Sequence, residues 1–188
     1  MSHKLSYNGI PSNEVKAFLE EKYLQYNNPS FIQPDPISIP HAFEDRRDRE
    51  ISGFLTAAIA WGRRDLILRS CHKMLELMDN APSDFILSAS ESEISRLSSF
   101  VHRTFNGADF ICFITGLRHI YLNNSSMEDV ILKGIVSGGS LISGLTNLRS
   151  EFFSFPHERR SEKHFADVSG GAAGKRLNMF LRIIKVAC

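Results

Sequence analysis

The sequence predicts an all-α protein, an irregular multi-helix bundle of about seven to nine helices. Two observations carry this prediction. Apolar residues recur with helical period in one segment after another, and no stretch alternates with period two for long. The first helical stripe follows Pro11 and Ser12 through Val15, Phe18, Leu19, Tyr23 and Tyr26. Between residues 27 and 47 the prolines Pro29, Pro34, Pro36 and Pro40 each remove a backbone donor, so this part is expected to be an extended, ordered connection. The segment EISGFLTAAIAWG, residues 50–62, is apolar on nearly every side after Ile51, as a helix surrounded by others would be, with Gly62 available as its stop. Asp65 then opens an amphipathic run through Leu66, Ile67, Cys71, Met74, Leu75 and Met78, closed by Asn80 and Pro82.

Ser90 with Glu93 has the spacing of a capping box, in which the hydroxyl and the carboxylate reciprocally satisfy the first free N–H groups of a helix. Ser125 with Glu128 repeats the spacing ahead of Val130 and Ile131. A wide apolar face is expected over residues 108–122 (Phe110, Phe113, Ile114, Leu117, Tyr121). Gly138 and Gly139 precede a further run through Leu141, Leu145, Leu148 and Phe152. Residues 155–174 break the pattern as a polar, glycine-rich basic loop, and period returns at Leu177, Phe180, Leu181 and Ile184. The whole, residues 1–188, is expected to be a single helical domain.

Composition bounds the partners. With 22 Lys and Arg against 21 Asp and Glu, the total charge gives no global attraction to a polyanion. Any contact with DNA must come from a local patch. Residues 157–185 supply one candidate, since seven Lys or Arg stand there against three Asp or Glu. Cys71, Cys112 and Cys188 have no spacing for zinc or a disulfide framework, which fits a reducing compartment such as the cytoplasm. No apolar run is long enough for a membrane span, and neither metal nor cofactor is expected.

Three motifs bear on chemistry. In GGAAGKR, residues 170–176, glycines lead into a helix that begins with two cations. A nucleotide P-loop is excluded because Ser169 and Arg176 stand where glycine and a hydroxyl residue are required. Cations at a helix start oppose its dipole, which a bound anion would explain; a solvated basic turn is the alternative. FVHRTFNGADF, residues 100–110, sets His102, Arg103 and Asn106 between phenylalanines. It reads either as a pocket or strand contact or as an aromatic-anchored loop whose polar groups bond backbone. His157-Glu158 lacks the second histidine of a zinc-protease helix, and His41, Asp45 and Asp48 sit among arginines that repel a cation. No nucleophile elbow or dinucleotide fingerprint is present, so no catalytic residue is assigned.

The segments EEKYLQYNNPSFIQPDPISIPHAF, EISGFLTAAIAWGRRDLILRSCHKMLELMDNAP, FVHRTFNGADF and KRLNMFLR together resemble a bacterial family of unknown function. That family is distantly similar to the helix-hairpin-helix base-excision DNA glycosylases, helical bundles that grip DNA and remove an extruded base. The resemblance implies that Gly171, Gly174, Lys175 and Arg176 are the counterpart of the hairpin that holds backbone phosphates. It also implies that the counterpart of the glycosylases' catalytic Asp follows later than this chain extends, as expected of a C-terminally truncated or frameshifted form. Two functions follow as expectations: a DNA-binding domain related to glycosylases but without their catalytic Asp, or a non-catalytic helical module that binds a protein or itself through the apolar face of the last helix.

Overall fold

The computed structural model describes residues 12–28, 30 and 32–186, the last three as backbone. Pro29, Cys188, the segment through Pro11 and the side chain of Ile184 lie outside the described residues. The chain divides into two compact units, residues 1–35 and 36–188. In the first, α1 (Ser12–Tyr26) forms where period predicted it, yet it buries none of its own residues, and Phe18, Leu19, Tyr23 and Tyr26 are all exposed.

Among its described residues the second unit is all-α apart from one hairpin of two-residue strands. Its first helix departs from the expected extended connection: α2 (Ser38–His41) includes Pro40 as its third residue. Proline is tolerated there because the first turn of a helix has no acceptor for its N–H groups. α3 (Arg46–Ile59) is the central helix that its composition predicted, buried continuously from Glu50 to Ile59 and packed by α2 and by helices described below. Asp45 caps it, its carboxylate accepting from the N–H groups of Arg47 (2.8 Å) and Asp48 (3.0 Å).

α4 (Arg64–Leu77) buries Ile67, Cys71, Met74 and Leu75 on one stripe and ends at Asp79 and Asn80, both with φ near +55°. These short polar residues tolerate that left-handed turn. Pro82 is more than the expected stop. It opens α5 (Pro82–Ser88), whose ends are held from elsewhere: the Ser83 N–H donates to Asp48 Oδ1 (2.7 Å), and the Arg118 guanidinium donates to the carbonyls of Ile86 and Ala89.

The Ser90–Glu93 capping box is present and starts α6 (Glu91–Arg96). After a 3-10 turn at Leu97–Ser99, β1 (Val101–His102) and β2 (Phe105–Asn106) pair antiparallel, with Arg103 at φ +55° in the turn. Two residues per strand are too few for an alternation to register in sequence. α7 (Gly107–Asn123) begins with an Asn106–Asp109 capping box. A Cβ at Gly107 would fall 2.3 Å from the carbonyl oxygen of Ser98, so only glycine lets the hairpin close against the preceding turn.

α8 (Met127–Gly138) and α9 (Leu141–Phe152) pack closely through Gly134 and Gly144. The cap of α8 is Ser126, bonded to the Asp129 N–H, one residue later than the expected Ser125–Glu128 pair. Tertiary structure moved it: the N–H groups of Met127 and Glu128 are taken by the carboxylate of Glu50 on α3 (2.9 and 3.1 Å), which also accepts from the Tyr121 hydroxyl. Residues 155–174 are not an open loop throughout. A 3-10 helix, Arg159–His164, buries Ser161 and His164, and Phe165 joins the core.

α10 (Lys175–Val186) packs on α3. Its residues Leu177, Phe180 and Ile183 are buried; of the expected stripe, Leu181 is half-buried and the side chain of Ile184 lies outside the described residues. The core centres on Phe54, whose ring lies 5.3–5.8 Å from those of Phe113, Phe152, Phe165 and Phe180. Among the described residues no helix is long and apolar enough to cross a membrane.

Candidate functional site

The most chemically dense place in the second unit forms where α3 stops. Ala60 adopts φ −74° and ψ 65°, an inverse γ-turn in which the Trp61 N–H donates to the Ile59 carbonyl (2.7 Å). This turn ends the helix before Gly62 (φ +112°), which then redirects the chain into α4, and it leaves the half-buried indole of Trp61 at the corner.

Three segments distant in sequence meet on that ring. His164, from the 3-10 helix, stacks on it with centroids 5.7 Å apart and planes at 16°. His102, from β1, meets it edge-on at 5.4 Å. The guanidinium of Arg176, in the first turn of α10, lies over the ring at 5.0 Å while Nη1 donates to the Ala58 carbonyl at the end of α3.

Behind this corner sits Asp109, fully buried at the third position of α7. Oδ2 accepts from the Asn106 N–H (3.0 Å) and from Arg160 (3.1 Å), and Oδ1 from the Ser161 hydroxyl (2.8 Å). His164 Nε2 lies 3.4 Å from Oδ2 without forming a hydrogen bond. One carboxylate thus pins the polar segment HERRSEKH to the first turn of α7. Arg149 secures the same segment from α9 through Glu162 (2.7 Å) and the Phe165 carbonyl (3.2 Å).

The electrostatics follow from burial and crowding. Burial pushes the His164 imidazole below its usual range; the charge of Asp109 works against this, and the cations of Lys163, Arg176 and Arg160 reinforce it. Burial also lowers His102, whose Nδ1 shares a hydrogen bond with the Ser70 hydroxyl (2.7 Å). Arg176 is likewise disfavoured in its charged form by burial. The thiol of Cys112, near Ser161, is pushed up by burial, which makes it a poor nucleophile. Among the described residues no cluster of three His, Cys, Asp or Glu is placed to hold a metal.

The residues singled out in the sequence have different fates. His102 is in the corner. Arg103 is exposed beside it, its guanidinium 3.0 Å from where a Cβ on Gly62 would lie. Asn106 caps α7, accepting from the Asp109 N–H (3.2 Å). Arg176 is in the corner, and Lys175 is exposed next to it. Gly171 (φ +88°) and Gly174 (φ +58°) shape a turn wound on Asp167, whose carboxylate accepts from the N–H groups of Ser169 and Gly170, both at 3.1 Å. The Gly171 N–H itself donates to the Val168 carbonyl (3.3 Å).

Trp61, Asp109, Arg160, Ser161 and His164 were not recognised in sequence. Signals existed: the only tryptophan of the chain, just past the end of the central helix, the N-x-x-D spacing of a capping box, and the concentration of titratable residues in HERRSEKH.

These features define an all-α protein with a cationic, aromatic corner at the end of its central helix. The chain belongs to the family described as protein of unknown function (DUF2400), which matches residues 35–184. No curated protein and no solved structure matches it.

Proposed function

We propose that the second unit binds DNA through the rim of the Trp61 corner, as a helical relative of the base-excision glycosylases, with no catalytic residue assigned. The observation that carries the reading is a local concentration of cations on a chain whose net charge is only +1. Arg103 comes from the hairpin, Arg160 and Lys163 from the 3-10 helix, and Lys175 and Arg176 from α10. All but Arg176 are exposed, and Arg160, Lys163 and Arg176 are close enough to act on the same imidazole. Exposed cations of this kind contact backbone phosphates and release counterions. Gly171 and Gly174 contribute the turn that presents Lys175 and Arg176. The resemblance to proteins whose helical bundles grip DNA favours the same polymer.

The test is fluorescence anisotropy with a labelled oligonucleotide over a range of salt. Binding should weaken steeply with salt, and a Lys163→Ala, Lys175→Ala double variant should reduce the slope of log K against log salt by roughly 1.4 on single strands, at about 0.7 per phosphate contact. Absence of binding at low ionic strength, or a slope unchanged in the double variant, refutes the reading.

A further inference from the structure

The recessed part of the corner differs from its rim. Arg176 is half-buried, yet among the described residues no carboxylate pairs with it; its partners are the Ala58 carbonyl and the face of Trp61. The nearby buried carboxylate, Asp109, is already engaged by Arg160 and Ser161. His164 is about 5% exposed, and its Nε2 is buried without a hydrogen-bond partner, 3.4 Å from Asp109 Oδ2. Arg176 and His164 also line one small cavity, of about 10 Å³, with Ala58, Phe165 and Phe180. That space holds at most one water, so a ligand would sit at its mouth. Polar groups this buried are normally partnered, and a desolvated guanidinium normally has a counter-charge. The corner is therefore short of hydrogen-bond acceptors and of negative charge at one point.

We propose that this recess takes a phosphate monoester, the terminal phosphoryl group of a nucleic-acid strand or of a free nucleotide. The Arg176 guanidinium fork with the neighbouring His164 imidazole matches the several oxygens of such a group. A phosphodiester within a strand continues in two directions and is suited to the exposed cations of the rim. A terminal phosphoryl group projects and can reach past them to Arg176. One of its oxygens can accept from the unpartnered Nε2 of His164. The inference rests on the DNA-binding reading for the strand source, but the monoester contact itself does not require it.

Trp61, the only tryptophan, makes the recess its own reporter. Inorganic phosphate should change its fluorescence saturably, while potassium chloride at equal ionic strength should not. Anisotropy should show a 5′- or 3′-phosphorylated single strand binding roughly ten-fold or more tightly than the same strand with hydroxyl ends, about the worth of one charge-assisted hydrogen bond. That preference should vanish in Arg176→Gln, with the fold verified by circular dichroism. His164→Gln gives a second variant should Arg176→Gln fail to fold. A response to inorganic phosphate and to a nucleoside monophosphate, with no preference among strands, supports the monoester site and assigns the free nucleotide as its source. Equal affinity for all strands together with no response to phosphate overturns the proposal. Loss of DNA binding with the phosphate response intact would instead refute the rim reading alone.

Discussion

Replacing Asp109 by alanine removes the one carboxylate that ties the start of α7 to residues 159–164, so it measures how the corner is assembled. The side chain is fully buried, and it accepts from the Asn106 N–H (3.0 Å), the Ser161 hydroxyl (2.8 Å) and Arg160 (3.1 Å). In the variant Ser161, itself buried, and the Asn106 N–H lose their acceptor, at about 1–3 kcal/mol each. The side chain of Arg160 is 38% exposed and regains water, so its lost ion pair adds little. The sum is about 3–5 kcal/mol, in line with removing one partner of a buried pair. In a chain of this size each kcal/mol shifts Tm by roughly 2–4 °C, so thermal unfolding followed by circular dichroism should fall by about 10 °C. Asp109→Asn keeps one acceptor oxygen and should lose about half as much. Because His164 sits between Asp109 and Trp61, the alanine variant should also alter Trp61 fluorescence in the folded state. A loss below about 1 kcal/mol with unchanged fluorescence would show that the segment is held by its apolar contacts and not by this carboxylate.

Three further outcomes are expected. Tyr121→Phe removes one of the three donors to buried Glu50 and should cost about 1–2 kcal/mol in urea denaturation, while Glu50→Ala, which strands the N–H groups of Met127 and Glu128 and the Tyr121 hydroxyl, should cost more; equal losses would contradict the shared-acceptor reading. Gly134→Ala would place a Cβ 2.5 Å from Cβ of Asn147 and 2.8 Å from Cα of Gly144, so overpacking of about 1–3 kcal/mol should outweigh the better helix propensity of alanine; a stabilised variant would show that α8 and α9 can move apart freely. The pH dependence has a definite sign. His102 and His164 have folded-state pKa values lowered by burial, so below about pH 6.5 the unfolded chain takes up protons more readily than the folded one. Their contribution to stability is complete above that pH and is lost as pH falls toward the folded-state values. Replacing both by Gln should flatten the decline in Tm between pH 7 and 5; an unchanged decline would place its origin elsewhere.

The legibility of the chain followed the range of the interactions. α3, α4, α7 and α9 could be seen because each repeats its apolar residues over several turns, and the box at Ser90–Glu93 because its partners are three residues apart. α5 was missed because it has seven residues and both its ends are completed by Asp48 and Arg118, at sequence separations of 35 and about 30. The cap of α8 was displaced by one residue because Glu50, 77 residues away, takes the N–H group of Met127. In the candidate site, the cations of GGAAGKR and the polar residues of FVHRTFNGADF stood out by composition, but nothing local connects either to Trp61.

By itself the sequence determined the class of the protein, the place of its central helix and the patch of chain where positive charge collects, since periodicity and composition are properties of neighbouring residues. Only the tertiary structure decided that α10 turns its apolar stripe onto α3, and that Asp109 holds the segment carrying Arg160 and His164. It also decided that His102, His164 and Arg176 converge on one indole. Those contacts join residues far apart in the chain, and the burial that leaves their polar groups short of partners exists only once the helices have packed.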